Sequence, residues 1–80
     1  MAKKDDLQQW VLDALTTKGG SAKLVDVARA IWQTHEDDLI RSGDLFYTWQ
    51  YDMRWAASQM RRKGLLKNAG ASPSGVWELL

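Results

Sequence analysis

One stretch, Asp44 to Gly64 (DLFYTWQYDMRWAASQMRRKG), constrains this chain more than any other. At about 100° per residue, Trp49, Met53, Ala56, Ala57 and Met60 gather on one side of a helix. The opposite side carries Tyr47, Tyr51, Arg54, Ser58 and Arg62, with Arg61 at its border. An apolar seam backed by aromatic rings and long donors suits a helix with one face in a core and the other against a polyanion. Asp44 stands where an N-cap belongs, and Gly64 where a left-handed C′ residue ends the helix and lets Leu65 fold back.

What surrounds such a helix is limited by size. The chain has 80 residues, which make one domain near the lower limit for a self-sufficient core. Its five tryptophans bury large areas that a short chain gains in few other ways. There is no cysteine, so neither disulfides nor thiolate metal sites contribute, and the single histidine, His35, excludes a multi-histidine zinc site. No apolar run approaches the roughly 18 residues of a membrane span, and the opening MAKKDD lacks the apolar stretch of a signal peptide. The expectation is a cytoplasmic protein without a membrane partner, residues 1–80 forming a single domain and 1–4 a frayed tail.

The net charge of +1 is uninformative, but its distribution is not. Residues 1–40 hold five Lys/Arg against seven Asp/Glu, whereas residues 41–67 hold six (Arg41, Arg54, Arg61, Arg62, Lys63 and Lys67) against Asp44 and Asp52. Positive charge therefore collects on the long helix and the start of the tail, the footprint of a nucleic-acid face.

Ahead of that helix, Asp5 and Asp6 offer an N-cap and a dipole-complementing acid to a first helix. Its apolar positions are Leu7, Trp10, Val11, Ala14 and Leu15, with Trp10 read as a core anchor, and Lys18 with Gly19-Gly20 ends it. Ser21–Leu24 reads as a short strand beside a terminal hairpin. A second helix begins near Val25, with Leu24, Val27, Ala28 and Ile31 as its core stripe and Trp32 at its edge. Thr34-His35-Glu36-Asp37 has the form of a capping box, which predicts a kink or a short extra helix near 35–42. His35 and the acids at 36–38 are the only hint of metal or acid–base chemistry. Adjacent helical positions diverge, so a solvated, charged helix start is the better reading. No Gly-rich phosphate loop or pair of acids in an apolar setting appears, which predicts no catalytic residues, no cofactor and no small-molecule substrate.

On the third helix, Arg61-Arg62-Lys63 in a last turn complements the helix dipole with no ligand required. Arg54, Tyr51 and Tyr47 continue the same polar face earlier in the helix, and this continuity favours contact with nucleic acid. Arginine reads guanine edges bidentately, and tyrosine or serine hydroxyls bind phosphates. Trp55, at the boundary between the two faces, reads as structural. Beyond the helix, Leu65-Leu66 and Gly75-Val76-Trp77-Glu78-Leu79 read as two strands around a loop, KNAGASPS. Lys67, Asn68 and the small residues of that loop suit close approach to a phosphate backbone.

The order helix, Gly-Gly, short strand, helix, long helix, Gly-Leu-Leu, loop, Gly-Val-Trp resembles the winged-helix domain at the N-terminus of Mrr-type restriction proteins. Met53-Arg54-Trp55-Ala56, Arg62-Lys63-Gly64-Leu65-Leu66 and Gly75-Val76-Trp77-Glu78-Leu79 carry the likeness, with Gly19-Gly20-x-Ala22 as a weaker match, over residues 5–80. The fold expected is α+β, mostly helical: a winged helix-turn-helix ordered α1-β1-α2-α3-β2-wing-β3. The resemblance implies DNA contact through the third helix and wing, carried by Arg54, Arg62 and Lys63. Relatives fuse this domain to a nuclease, for which 80 residues leave no room, so cleavage is not expected.

The reading is a double-stranded-DNA-binding module, not an enzyme: a free-standing regulator, a phage or mobile-element protein, or a partner subunit. Its contact residues are Tyr47, Tyr51, Arg54, Ser58, Arg61, Arg62, Lys63, Lys67 and Asn68. The alternative is a protein-interaction module or homodimer on the same fold, anchored by Tyr47, Tyr51 and Trp55.

Overall fold

The computed structural model describes residues 2–80, which form three helices and a small antiparallel sheet. Helix α1 spans Asp6–Thr17, strand β1 Ser21–Lys23, α2 Leu24–Ile40, α3 Leu45–Arg62 and strand β2 Val76–Glu78, with a 3-10 turn at Ala69–Ala71. The chain is thus α+β and mostly helical.

Each helix buries most of the stripe its period dictates, Leu24 and Ala28 of α2 being only half-buried. Leu7, Val11, Ala14 and Leu15 of α1 are buried, as are Val27, Ile31 and Leu39 of α2. From α3 come Leu45, Trp49, Met53, Ala56, Ala57 and Met60. Together with Leu66 and Trp77 these side chains make one continuous core. Burying a side chain such as Met53 or Ile31 is worth about 1.5–3 kcal/mol, so the seam of α3 is a leading source of stability. Trp10, read from the sequence as a core anchor, is only half-buried and lies against His35.

The helix ends differ in how well they follow the sequence. Gly64 takes φ 77°, the Gly64 N–H donates to the Arg61 carbonyl at 3.1 Å and the Leu65 N–H donates to that of Met60 at 2.9 Å. That pair of bonds is the Schellman closure. Gly19 and Gly20 end α1 in the same way, with the Gly20 N–H on the Leu15 carbonyl at 2.7 Å. Asp5 and Asp44 hold the N-cap positions but are already helical in φ and ψ, and their side chains make no capping bond. In α1 the neighbouring Asp6 instead accepts from the Lys3 N–H at 2.8 Å.

Helix α2 runs through the predicted break. His35 has non-helical angles (φ −123°, ψ 19°), so two helical stretches meet there across a kink. At the kink the His35 ring stacks on Trp10 of α1, centroids 3.7 Å apart and planes within 5°. The segment Ala2–Lys4, expected to fray, is tied down. Ala2 is buried and its N–H donates to the Ser42 hydroxyl at 3.0 Å.

In the sheet, Ser21 faces Glu78, Ala22 faces Trp77 and Lys23 faces Val76, antiparallel. The strand expected at Leu65–Leu66 is reduced to one bridge, Leu66 to Leu79, flanked by Lys67 N–H to Glu78 and Leu80 N–H to Leu65. The closure of α3 uses Leu65, and the small-residue loop turns away at Ala69, so too little chain is left to extend the ladder.

Replacing Gly64 by alanine tests the α3 closure. A Cβ there would meet nothing within 4 Å, so the cost is conformational alone. Urea unfolding of Gly64→Ala is expected to show a loss of about 1 kcal/mol. Gly70→Ala, at a glycine without positive φ, is expected to be nearly neutral.

Candidate nucleic-acid interface

The outward side of α3 is open. Tyr47 and Tyr51 are 83% and 75% exposed, a large departure for aromatic side chains. Arg54, Ser58 and Arg62 are exposed beside them. Neither Arg54 nor Arg62 forms an ion pair among the described residues. Two tyrosine rings, a hydroxyl and two free guanidinium groups therefore share one surface along the helix.

The structure adds residues to this surface that helical spacing within α3 could not supply. Arg54 lines a groove of about 400 Å³ with Lys23, Val25, Gln50, Ser74 and Gly75. Lys23 is the last residue of β1, Gln50 is one turn before Arg54, and Ser74 belongs to the loop before β2. Gln50 is exposed and falls between the apolar seam and the tyrosine face, which is why the sequence division into two faces passed over it. Lys23 joins the lining of this groove because β1 pairs with β2 and delivers it to the start of α2. The one local signal for Lys23 was that it is the cation immediately before the second helix.

Other expected contact residues lie elsewhere. Lys63 is about half a turn round the helix from Arg54. Its ammonium donates to Gln8 of α1 at 2.9 Å, so it leans towards α1 and away from the tyrosines. Lys67 is paired with Glu78 across the sheet at 3.5 Å. Asn68 is exposed in the loop. Arg61 is half-buried beneath that loop, its Nε out of solvent contact. The nine residues thus divide. Tyr47, Tyr51, Arg54, Ser58 and Arg62 share a surface; Asn68 lies in the loop and Arg61, near the end of α3, lines a pocket with the loop residues; Lys63 and Lys67 are held by neighbours.

One flank of α3 is closed by the N-terminal segment. The Lys4 ammonium lies 4.1 Å from the Trp55 ring centroid and 4.0 Å from the Asp52 carboxylate. Asp52, a buried acid on the inner side, also accepts from the Thr48 hydroxyl at 2.8 Å. Trp55 is therefore covered by the chain's own first residues. On the other flank, Val25, Ala28, Arg29, Trp32, Phe46, Trp49 and Gln50 line an open, mainly apolar groove of about 510 Å³ between α2 and α3.

The acidic segment Glu36–Asp38 follows the kink of α2. His35 faces Asp38 at 3.9 Å. Among the described residues no group of three or more His, Asp or Glu side chains is placed to hold a metal ion. No described helix is long and apolar enough to cross a membrane.

If the tyrosine–arginine surface contributes little to folding, its truncation should be silent in stability. Tyr47→Ala, Tyr51→Ala, Arg54→Ala and Arg62→Ala are each expected to shift urea-derived stability by no more than about 0.5 kcal/mol. Trp49→Ala, on the seam of the same helix, is expected to cost about 3–5 kcal/mol. The chain matches no protein-family model, no curated protein and no solved structure.

Proposed function

We propose that this domain is a winged-helix DNA-binding module that lays α3 in the major groove and its 68–75 loop on the adjacent backbone. The observation that carries the reading is the free state of Arg54 and Arg62 on a face that also exposes Tyr47, Tyr51 and Ser58. The element order supports it: a strand after the first helix pairs with the last strand, and a loop leaves the C-terminal end of α3. α3 has 18 residues, long enough to lie along a groove.

In this reading the residues divide the work. Arg54 and Gln50 reach base edges, since a guanidinium pairs bidentately with guanine and a carboxamide with adenine. Tyr47, Tyr51, Ser58 and Arg62 hold phosphates, and Lys23 neutralises charge beside the groove. With few free cations the interface is modest, and affinity comes mainly from low-salt electrostatics.

A second reading has its own observation. The mainly apolar groove between α2 and α3, with the exposed Val25 in its wall, is a surface of the kind that proteins bury on association. It would make the domain a protein-interaction module or homodimer on the same fold.

Fluorescence anisotropy with a labelled duplex separates the two. The DNA reading expects log K to fall with log salt with a slope of about −3 to −5, from a handful of phosphate contacts. Arg54→Ala should weaken binding about tenfold or more, one bidentate contact's worth. Absence of duplex binding at low salt, with concentration-dependent self-association in sedimentation, would transfer the surface to the second reading.

A further inference from the structure

The two grooves that α2 and α3 leave between them adjoin, because Val25, Ala28 and Gln50 line both. At one end stand Leu24 of α2 and Arg54 of α3, and at the other Trp32 and Phe46. Eight positions separate the two ends on each helix. At about 1.5 Å per residue the channel is about 12 Å long, roughly two helical turns.

Where this channel is open, it is largely apolar. Val25 is 55% exposed, and Leu24, Ala28, Trp32 and Phe46 are half-buried, so each presents carbon to solvent. Single apolar side chains on a surface need no explanation, but a contiguous concave run of them marks a binding surface. The Trp32 ring stacks on Trp49 at 6.1 Å, with planes within 14°, and lies 6.4 Å from Phe46. A floor fixed in this way loses little side-chain freedom on association.

The charged residues of the lining are Lys23, Arg29 and Arg54, all cations and all exposed. Lys23 and Arg29 stand on the α2 side and Arg54 on the α3 side, so positive charge flanks the floor on both walls. Arg29 has only Asp26 beside it, at 3.7 Å, in an exposed pair of the weakly held kind. A duplex would answer the cations and leave the aromatic floor uncovered. A wholly apolar segment would cover the floor and desolvate the cations without compensation. A helix whose apolar stripe is bordered by carboxylates answers both, and seating a helix in the groove between two others is a recurring mode of recognition.

We propose that this channel docks an acidic amphipathic helix of a partner protein. The apolar stripe of that helix lies on Val25, Ala28, Trp32 and Phe46, and its carboxylates face Lys23, Arg29 and Arg54. The proposal rests on the second reading above and adds to it the chemistry of the partner.

The test is fluorescence anisotropy of the full chain with a labelled helical peptide about four turns long. The peptide carries leucine along its stripe and glutamate on both borders, and its control carries lysine for every glutamate. The expected result is saturable binding of the glutamate peptide, about tenfold or more tighter than that of the lysine peptide. Arg29→Glu should weaken the glutamate peptide about tenfold and strengthen the lysine one, and Val25→Asp should weaken the glutamate peptide at least as much. Both positions are exposed, so the fold is retained, and neither is among the contacts assigned to DNA. Equal affinity for the two peptides, no binding of either, or binding that both variants leave intact would overturn the proposal. So would a dimer in sedimentation that Val25→Asp dissolves: the channel would then belong to a second copy, and the second reading would survive without an acidic partner. Duplex binding is scored separately. A chain that ignores duplex and takes the glutamate peptide refutes only the major-groove reading, and one that binds duplex and neither peptide refutes only this proposal.

Discussion

Everything in this molecule depends on the division of α3 into a buried seam and an open face. Ala56 and Ala57 have no exposed surface, and they sit between Met53 and Met60, which are 2% and 1% exposed. Small residues in the middle let the neighbouring helices approach, and the methionines fill what the alanines leave. Helix α3 packs on both α1 and α2, so the same seam holds the other two helices in place. With that face committed, the tyrosines and arginines opposite it have nowhere to go but outward. A helix with charge on all sides would not be fixed, and one apolar on all sides would offer no polar surface.

The chain also controls which parts of the open face remain free. Lys4 and the N-terminal segment cover Trp55 and compensate Asp52, closing one edge. Gln8 holds Lys63 and Glu78 holds Lys67, which removes two cations from the surface without removing their charge from the neighbourhood. Exposed pairs of this kind contribute little to stability, about 0–1 kcal/mol. Their effect is to leave Arg54 and Arg62, among the described residues, as the unpaired cations of the outward side of α3, beside Gln50 and Lys23.

Much of this was legible in the sequence wherever a single local period decides the outcome. The seam of α3, most of the stripes of α1 and α2, the glycine closures and the break near His35 follow from local pattern and glycine chemistry within one element, whereas Trp10, Leu24 and Ala28 of those stripes are only half-buried. What spacing could not give depends on contacts between elements. Lys23 and Arg54 come to line one groove through strand pairing, and Ser72 and Arg61 to line another through the path of a loop. The stacking of His35 on Trp10, 25 residues earlier in the chain, is another contact of this kind. The N-terminal segment appeared frayed because three polar or small residues carry no period, yet a hydrogen bond to Ser42 fixes it. The Leu65–Leu66 strand is reduced to a bridge because the Leu65 N–H is used to close α3 and the chain turns away at Ala69.

The most direct measurement is a map of amide and side-chain N–H perturbations when a short duplex is added at low and moderate salt. The account predicts shifts confined to the outer side of α3 around Tyr47, Tyr51, Arg54 and Ser58 and to the loop at 68–75, shrinking as salt rises. Shifts centred on α1 or on the acidic segment 36–38, or none at low salt, would contradict it.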